Sequence, residues 1–180
     1  FELSMTLSDR IKRRIATVYW SLRGVQIGVN SVVNRGVDIQ YPKGSSIGRG
    51  SQIGKSTSIY CGENGSFELG NGSHVAPYGY FLVGDNSCAI GSQVAVGPFC
   101  TFVCHSNSVK GSRKFFTENY EDGDIVVGNN VFIGAQCTIL PGTHIPDNVA
   151  IASNSVVRGE LKSGFVYGGT PAKLIKSISD

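Results

Sequence analysis

Apolar residues recur every six positions along most of the chain. In the C-terminal half the series is Val127, Ile133, Ile139, Ile145, Ile151 and Val157. Shorter series with the same spacing run from Ile27 to Phe102 in the first half. This period is neither the 3.6 of a helix nor the alternation of an ordinary strand. A long array of hexapeptides is typical of a parallel β-helix, in which each hexapeptide forms a short strand and a corner.

A second position repeats in step with the first. Two residues before the next apolar residue stands a small or β-branched side chain, which we expect to point inward: Ser51, Thr57, Ser73, Val131, Val149 and Ser155. Glycine occurs 24 times and often follows the apolar residue, and with Asn and Asp it suits corners that require a positive φ. An antiparallel sandwich would instead show alternation over longer strands. The expected fold is therefore all-β, a parallel β-helix.

The six-residue spacing is interrupted in the stretch TFVCHSNSVKGSRKFF. We predict a long loop over 103–125, and His105 lies where it begins. Long loops in compact folds are often functional. Histidine, with an unperturbed pKa near ~6.5, is well matched to general-base chemistry at neutral pH. His105 is therefore the candidate base, against the alternative of a surface histidine in a disordered insertion.

Composition excludes several classes of protein. Hydrophobic residues make up 41% of the chain and charged residues 16%, which fits one globular domain. A net charge of +3 is too small to indicate nucleic-acid binding, although it suits a few anion-binding lysines and arginines. No apolar run reaches the ~20 residues of a membrane span.

The five cysteines form no CxxC pair, so the sequence predicts neither a disulfide framework nor a zinc site. Cys88, Cys100 and Cys137 fall in the small inward position, whereas Cys61 and Cys104 do not. We expect core packing in a reducing compartment, the cytoplasm, and no metal cofactor.

The N-terminal segment, residues 1–24, is predicted to be helical. Ile11, Ile15, Val18 and Leu22 recur at helical spacing, and Arg10, Arg13 and Arg14 occupy other faces. One interpretation is a cap over the first coil, because an open β-helix end must be covered. The other is an interfacial helix that contacts a membrane peripherally and brings the protein to a glycolipid.

Two stretches carry a resemblance to a known family. The stretch IVVGNNVFIGAQCTILPGTHIPDNVAIASNSVV, followed by VYGGTPAKLIK, resembles the hexapeptide-repeat acyltransferases of the sugar O-acetyltransferase type. This resemblance implies a left-handed β-helix over 25–168, a helical tail over 169–180, and a homotrimer with active sites between subunits. It also implies acetyl-coenzyme A as cosubstrate. Thr170 and Pro171 additionally suit the N-cap and first position of a short C-terminal helix.

The resemblance also implies roles for individual residues. His105 matches the family's catalytic histidine, and the FIGAQ stretch matches the backbone donor to the thioester oxygen, which makes Gly134 and Ala135 the candidates. The coenzyme A groove is expected to involve Ala152, Ser153, Arg158, Thr170, Lys173 and Lys176.

The sequence departs from the family pattern in two places. Phe132 stands where relatives often have Trp, and Ser108 stands where some carry an acid. The group that orients His105 is therefore open: a backbone carbonyl, Glu118, Glu121, Asp122 or Asp124.

The expected function is transfer of an acetyl group to a hydroxyl of a sugar or glycan, in surface polysaccharide biosynthesis. Alternatives are N-acetylation of a nucleotide-linked amino sugar and a non-catalytic scaffold. A γ-type carbonic anhydrase would need three histidines on zinc, but His74 and His144 are far from His105 in sequence and are expected to point outward. A covalent acyl-cysteine at Cys104 is disfavoured because neighbouring side chains in an extended segment point to opposite faces.

Overall fold

The structure, a computed structural model, describes residues 6–110 and 115–179. Short strands follow one another around three parallel sheets, and each strand pairs with the strand one coil further on. We name the sheets faces A, B and C in the order in which the chain visits them. Face A contains β1 (Gln26–Ile27), β4 (Ser45–Ile47), β7 (Ser66–Leu69), β10 (Ser87–Ile90), β15 (Ile125–Val127) and β18 (His144–Ile145).

Face B contains β2 (Val32–Val33), β5 (Gln52–Ile53), β8 (His74–Val75), β11 (Ala95–Val96), β16 (Phe132–Ile133), β19 (Ala150–Ile151), β21 (Phe165–Gly168) and β22 (Lys173–Ser177). Face C contains β3 (Asp38–Gln40), β6 (Ser58–Cys61), β9 (Tyr80–Gly84), β12 (Thr101–Val103), β17 (Thr138–Ile139) and β20 (Val156–Val157). The fold is thus the left-handed β-helix of hexapeptide repeats, with about six coils, and the fold class predicted from the sequence is confirmed apart from its C-terminal helix.

The repeated apolar residues form the core. In neighbouring coils Val96 pairs with Ile133, and Phe102 pairs with Ile139. With the exception of the half-buried Ile27, every residue of the six-residue series is buried. Three phenylalanines fill the middle coils, since the ring centroids of Phe81 and Phe102 lie 4.6 Å apart and those of Phe67 and Phe81 lie 5.0 Å apart. Such pairs stabilise a core beyond the area that they bury.

The small inward positions are hydrogen-bonded from coil to coil. The Ser51 hydroxyl donates to the Gly70 carbonyl at 2.6 Å, and the Ser73 hydroxyl donates to the Gly91 carbonyl at 2.7 Å. The backbone N–H of Ser73 in turn donates to the Ser51 hydroxyl at 3.1 Å. A buried hydroxyl is costly unless it is paired, and this ladder satisfies Ser51 and Ser73, whereas the buried hydroxyl of Thr57 has no hydrogen-bond partner among the described residues.

The predicted loop 103–125 is largely a β-hairpin. It consists of β13 (His105–Asn107) and β14 (Tyr120–Asp122), which pair antiparallel, and a 3₁₀ turn at Phe116–Glu118. The hairpin leaves the fourth coil where face C turns into face A. A second 3₁₀ turn, at Pro42–Gly44, lies at the same corner of an earlier coil.

The helix α1 (Leu7–Leu22) lies on the first coil. The Thr17 hydroxyl accepts a hydrogen bond from the Val33 N–H at 3.0 Å, and the Trp20 side chain is buried. The predicted apolar stripe of Ile11, Ile15, Val18 and Leu22 does not make this contact, because all four side chains are exposed. The helix therefore covers the coil through a face that the sequence reading did not identify. Among the described residues, no helix has the length and apolar character needed to cross a membrane.

The predicted C-terminal helix is wrong. Residues Lys173–Ser177 form β22, which pairs antiparallel with β21, and Thr170 caps no helix. The Ala172 N–H donates to the Val156 carbonyl and the Ile178 N–H donates to the Gly164 carbonyl. The last coil leaves unpaired backbone groups at the edge of face B, and pairing them outweighs the local helix-start signal.

Candidate active site

His105 is held by a carboxylate. Its Nδ1 lies 2.7 Å from Oδ1 of Asp122, across the first rung of the hairpin. The hydrogen bond from His105 lowers the pKa of Asp122 below its ordinary value of 3.8, so the carboxylate is ionised at neutral pH. An ionised carboxylate only accepts, so Nδ1 carries the proton and Nε2 keeps a lone pair. Asp122 is thus the orienting group that the sequence left open among several candidates.

Two further side chains fix this pair. The Asn86 amide donates to the same Asp122 oxygen at 3.1 Å. The Tyr120 ring stacks on the imidazole, with centroids 5.0 Å apart and an interplanar angle of 20°. The stacking therefore fixes the plane of the imidazole ring and the hydrogen bond fixes the direction of Nδ1. The His105 side chain nevertheless keeps 38% of its surface exposed.

The pair lines an open cleft of about 460 Å³ at the corner between faces C and A. The cleft is lined by Gly62, Gly84, Asp85, Asn86, His105 and Asp122. Gly84 has a φ of +61°, and a Cβ placed on it would approach the His105 Cβ to 3.3 Å. Glycine therefore lets the hairpin pass close to the coil without a shift of the histidine.

The predicted cofactor residues meet at another corner, between faces B and C. Gly134 and Ala135 follow β16, Ala152 and Ser153 follow β19 one coil later, and Thr170 follows β21. The Ala135 N–H donates to the Ser153 hydroxyl at 3.1 Å, and the Thr170 hydroxyl donates to the Asn154 carbonyl at 3.3 Å. These residues form one continuous column along the solenoid axis.

The backbone donors in this column are already engaged. The Gly134 N–H donates to the Ile151 carbonyl at 2.8 Å, as part of the ladder between coils. The Ala135 N–H bonds a hydroxyl, which can rotate away at little cost. Ala135 is therefore the better candidate for donating to a thioester oxygen, and the expectation for the Gly134 N–H does not fit the geometry. Gly134 serves close packing instead, because a Cβ there would lie 2.5 Å from the Ser153 nitrogen.

The cationic residues predicted for the cofactor site lie in different parts of the structure. Lys173 and Lys176 lie exposed on β22 at the end of face B; Lys173 pairs with Gly168 beside the column, whereas Lys176 pairs with Val166, further from it. Arg158 lies at the hairpin's corner instead, where its guanidinium makes two hydrogen bonds to the Glu121 carboxylate at 2.8 and 3.1 Å. This ion pair ties the hairpin to the sixth coil.

His105 and Ala135 lie at opposite edges of face C. The three residues of β12 and their flanking positions separate the two corners, which at ~3.3 Å per residue amounts to roughly 12–15 Å. One reacting carbon cannot contact both groups across this distance. Within a single chain, the two halves of the predicted site do not meet.

The other histidines and Cys104 stay outside the site. His74 and His144 are exposed on β8 and β18, as the sequence predicted. Cys104 is buried and its thiol points to the Ser87 carbonyl at 3.6 Å, away from the cleft. In the described part of the chain, no group of three His, Cys, Asp or Glu side chains is arranged to hold a metal ion.

Sequence reasoning missed two residues of the cleft and the aromatic ring that stacks on its histidine. Asn86 and Asp85 lie at the corner one coil before His105, and Tyr120 lies on the opposite hairpin strand. No residue spacing links them to the histidine. A predicted pairing of residue 105 with residue 122 would have placed both Tyr120 and Asp122 near His105. The segment, however, lacks the alternation of apolar and polar residues that predicts a hairpin.

Comparisons with known proteins agree with this fold. A family model described as bacterial transferase hexapeptide (six repeats) matches residues 124–159. Galactoside O-acetyltransferase of Escherichia coli (strain K12) is 30% identical over 119 residues, which cover 63% of this chain and 58% of that protein. WbbJ of the same strain, whose description names lipopolysaccharide biosynthesis and O-acetyl transfer, is 45% identical over 59 residues, covering 33% of this chain and 30% of that protein. The chain thus spans less than two thirds of the length of either relative.

Among solved structures, a point mutant of AntD superimposes with a TM-score of 0.78 at 21% identity, covering 89% of this chain and 88% of that one. AntD is described as an N-acyltransferase from Bacillus cereus, in complex with dTDP-4-amino-4,6-dideoxyglucose and coenzyme A. By its repeats and its coils, the chain has the hexapeptide-repeat β-helix fold, and within it residues 124–159 match the bacterial hexapeptide transferase model.

Proposed function

We propose that this protein is an acetyl-coenzyme A-dependent O-acetyltransferase that acts on a hydroxyl of a sugar or glycan. The observation that carries the proposal is the His105–Asp122 pair, at 2.7 Å, in an open cleft. A hydroxyl is a weak nucleophile, and it attacks a thioester only as a base removes its proton. A histidine whose Nδ1 is held by a carboxylate presents Nε2 for this task.

The chemistry follows from this arrangement. Nε2 of His105 takes the hydroxyl proton while the oxygen attacks the acetyl carbonyl carbon. The developing oxyanion accepts a hydrogen bond from the Ala135 N–H. The C–S bond then breaks, the acetyl group stays on the acceptor oxygen, and the imidazolium returns its proton to the coenzyme A sulfur. Asp122 stabilises the imidazolium between the two transfers.

A second candidate is N-acylation of a nucleotide-linked amino sugar. Its support is the fold similarity to AntD, whose complex contains such a sugar. An unprotonated amine attacks without prior loss of a proton and so needs less help from a base. We favour O-acetylation because Asp122, Asn86 and Tyr120 together orient one imidazole.

The proposed coenzyme A site is the column between faces B and C. Gly134 and Ala152 present little side chain there, so a pantetheine arm can lie against the backbone near Ala135 and Ser153. Thr170 and Lys173 lie at the C-terminal end of the column, where a cation suits phosphate groups, and Lys176 lies further along β22 opposite Val166. The Arg158 guanidinium is paired with the Glu121 carboxylate, and it can contact coenzyme A only if this ion pair breaks.

The proposed assembly is a homotrimer with shared sites. Because roughly 12–15 Å separates His105 from Ala135 within a chain, a neighbouring copy must bring one corner against the other. A closed three-fold ring creates three equivalent grooves of this kind. The exposed side chains Phe115 and Phe116 near the hairpin tip are suitable groups for such a contact.

The proposed setting is surface polysaccharide biosynthesis in the cytoplasm. The description of WbbJ supports the process. All five cysteines are unpaired and buried, which suits a reducing compartment.

The deciding experiment measures thiol release from acetyl-coenzyme A with two acceptors, a galactoside and dTDP-4-amino-4,6-dideoxyglucose. We expect transfer to the hydroxyl acceptor and its loss in His105→Ala. Transfer to the amine alone, with little dependence on His105, would show that the N-acylation candidate is correct. If no thiol is released with either acceptor although coenzyme A binds tightly, the result would instead favour a non-catalytic scaffold.

Lys173→Glu tests the cofactor end of the site. This change should weaken coenzyme A binding by about tenfold, and dephospho-coenzyme A binding by less, because a phosphate contact is lost. Lys162→Glu, at another exposed lysine of the last coil, is the matched control. An equal loss for both ligands would mean that Lys173 does not contact the 3′-phosphate.

Dilution tests the shared site. Activity and the trimer should disappear together as the protein is diluted. A monomer of 19.1 kDa that turns over at the full rate contradicts the proposal.

A further inference from the structure

One face of α1 is apolar, exposed and unused by the fold. Its residues are Leu7, Ile11, Ile15, Val18 and Leu22, with exposed fractions between 50% and 83%. Their spacing of three or four positions places them on one stripe of a helix. We call this surface the outer stripe of α1.

The centre of the outer stripe points away from the coils. At 3.6 residues per turn, Ile15 and Leu22 lie opposite Trp20 and Thr17 around the helix axis. Leu7, Ile11 and Val18 border an open groove between the helix and residues 30–32. Thr17 and Trp20 both pack on the first coil, Thr17 through a hydrogen bond and Trp20 through its buried ring. The stripe is therefore exposed at the N-terminal end of the solenoid, most fully at Leu22, Leu7 and Ile15.

Basic residues border the outer stripe on both sides. Arg10 and Arg14 lie along one edge, and Lys12 and Arg23 lie along the other, all exposed. Between Leu7 and Gly24 the sequence has one acidic residue, Asp9. An apolar strip with cations along both edges complements a surface that is anionic outside and apolar beneath.

We propose that α1 docks on a membrane surface that contains anionic phospholipids. The outer stripe enters the boundary between headgroups and acyl chains, and the four cations contact the lipid phosphates on either side. A second copy of the same surface is a poor occupant, since it would bring Arg10 and Arg14 against like charges. This docking does not depend on the proposed function.

The geometry links docking to the acceptor, and this step does rest on the proposed function. His105 belongs to the fourth coil, about three rises of ~4.8 Å from the first coil that α1 covers. The cleft then stands roughly 15 Å further from the membrane than α1 does. An acceptor glycan whose reducing end is attached to a membrane lipid would reach it. In a three-fold ring all three helices lie at the same end, so that docking is multivalent.

Vesicle co-sedimentation tests the docking. The probes are phosphatidylcholine vesicles with and without phosphatidylglycerol, at low and high salt. The full chain is compared with Val18→Asp and Ile15→Asp, and Val126→Asp on face A of the fifth coil is the matched control. Each variant is first checked by thermal unfolding and by mass in solution, because exposed positions should tolerate the change.

We expect the protein to bind the phosphatidylglycerol vesicles at least about tenfold more tightly than the neutral ones, with weaker binding at high salt. Val18→Asp and Ile15→Asp should each lose at least about tenfold in binding, and Val126→Asp should bind as the wild type does. Arg10→Gln combined with Arg14→Gln should reduce the preference for anionic lipid.

Three results would overturn the proposal. The first is the absence of binding to anionic vesicles, and the second is wild-type binding by Val18→Asp and Ile15→Asp. The third is a lower mass in solution for these two variants without any vesicle binding, which would assign the outer stripe to contacts between copies.

Discussion

The two corners that border face C are built in opposite ways. At the corner between faces B and C, the coils turn without interruption, and the backbone N–H of Gly134 is used in the ladder to the next coil. At the corner between faces C and A, the fourth coil opens into the hairpin of β13 and β14, and polar side chains project into a cleft. The first corner offers a smooth groove along the axis, and the second offers reactive groups.

This difference shows where a repetitive solenoid can carry chemistry. A regular coil turns its apolar residues inward and saturates its own backbone, so its corners can bind an extended molecule but supply few groups for proton transfer. Placing His105 and Asp122 side by side required a departure from the repeat, since the hairpin pairs residues that are 17 positions apart. Under the proposed function, the separation of the two corners requires a second chain to complete the site.

The largest expected effect tests the hairpin corner. His105→Ala should lower kcat by about 10²–10⁴-fold, as expected for the loss of a general base. His74→Ala, at another exposed histidine, should leave kcat and the unfolding temperature unchanged. Steady-state kinetics on both variants make the comparison. Wild-type turnover by His105→Ala would show that the general base does not lie at this corner.

Asp122→Asn tests whether the carboxylate acts through the histidine. We expect kcat to fall by about 10–100-fold while KM for acetyl-coenzyme A stays unchanged, because Asp122 positions the imidazole and does not touch the cosubstrate. Since the hydrogen bond from His105 lowers the pKa of Asp122, the wild-type carboxylate stays ionised down to below about pH 4. The carboxylate is therefore ionised throughout about pH 6 to 8, so the loss should be present over that whole range, and a pH–rate profile measures it. A rise in KM with kcat preserved would place Asp122 in binding instead.

Gly134→Ala tests the close packing of the other corner. The new Cβ would lie 2.5 Å from the Ser153 nitrogen, and because this neighbour is backbone the two coils must move apart. We expect a loss of about 1–3 kcal/mol in the free energy of unfolding and weaker coenzyme A binding. Calorimetry and ligand titration provide the measurements. Coenzyme A affinity that survives a clear loss of stability would show that the cofactor does not run along this column.

The smallest expected effect concerns the tie between the hairpin and the sixth coil. Arg158→Gln and Glu121→Gln each break the same ion pair, so the two variants should behave alike. The pair is largely exposed, and such pairs contribute little, so we expect kcat to fall by roughly threefold at most. If Arg158→Gln alone weakens coenzyme A binding, then Arg158 serves the cofactor in addition to the hairpin.

The sequence predicted most of the fold because the repeat is local. Each hexapeptide carries its inward-pointing residues at fixed positions of the repeat. Ile133 and Ser73, for example, are buried as their positions predict. The tail from Thr170 to Ser177 could not be predicted in the same way, because its strand depends on an open sheet edge that only the assembled coils create. The outward direction of Val18 and Ile15 likewise follows from the contacts of Trp20 with the first coil.

The candidate site was predicted in part for the same reason. His105 is visible in the sequence because it stands where the repeat stops. Asp122 was one of several acidic residues near His105. Asn86 and Tyr120 could not be predicted from their positions in the sequence, because Asn86 reaches the site from a neighbouring coil and Tyr120 reaches it through the hairpin pairing. The distance between the two corners of face C becomes apparent only once the coils are closed.

The buried cysteines make three of the six coils individually observable. Cys61 lies in the second coil, Cys100 in the fourth and Cys137 in the fifth, and none of them is accessible to solvent in the closed structure. Burial raises the pKa of the Cys61 thiol to about 11, so that it stays protonated and unreactive until its coil opens. A solenoid whose coils contact only their neighbours can open locally. Pulsed alkylation followed by mass spectrometry would therefore report the opening of the second, fourth and fifth coils separately, without any change to the sequence.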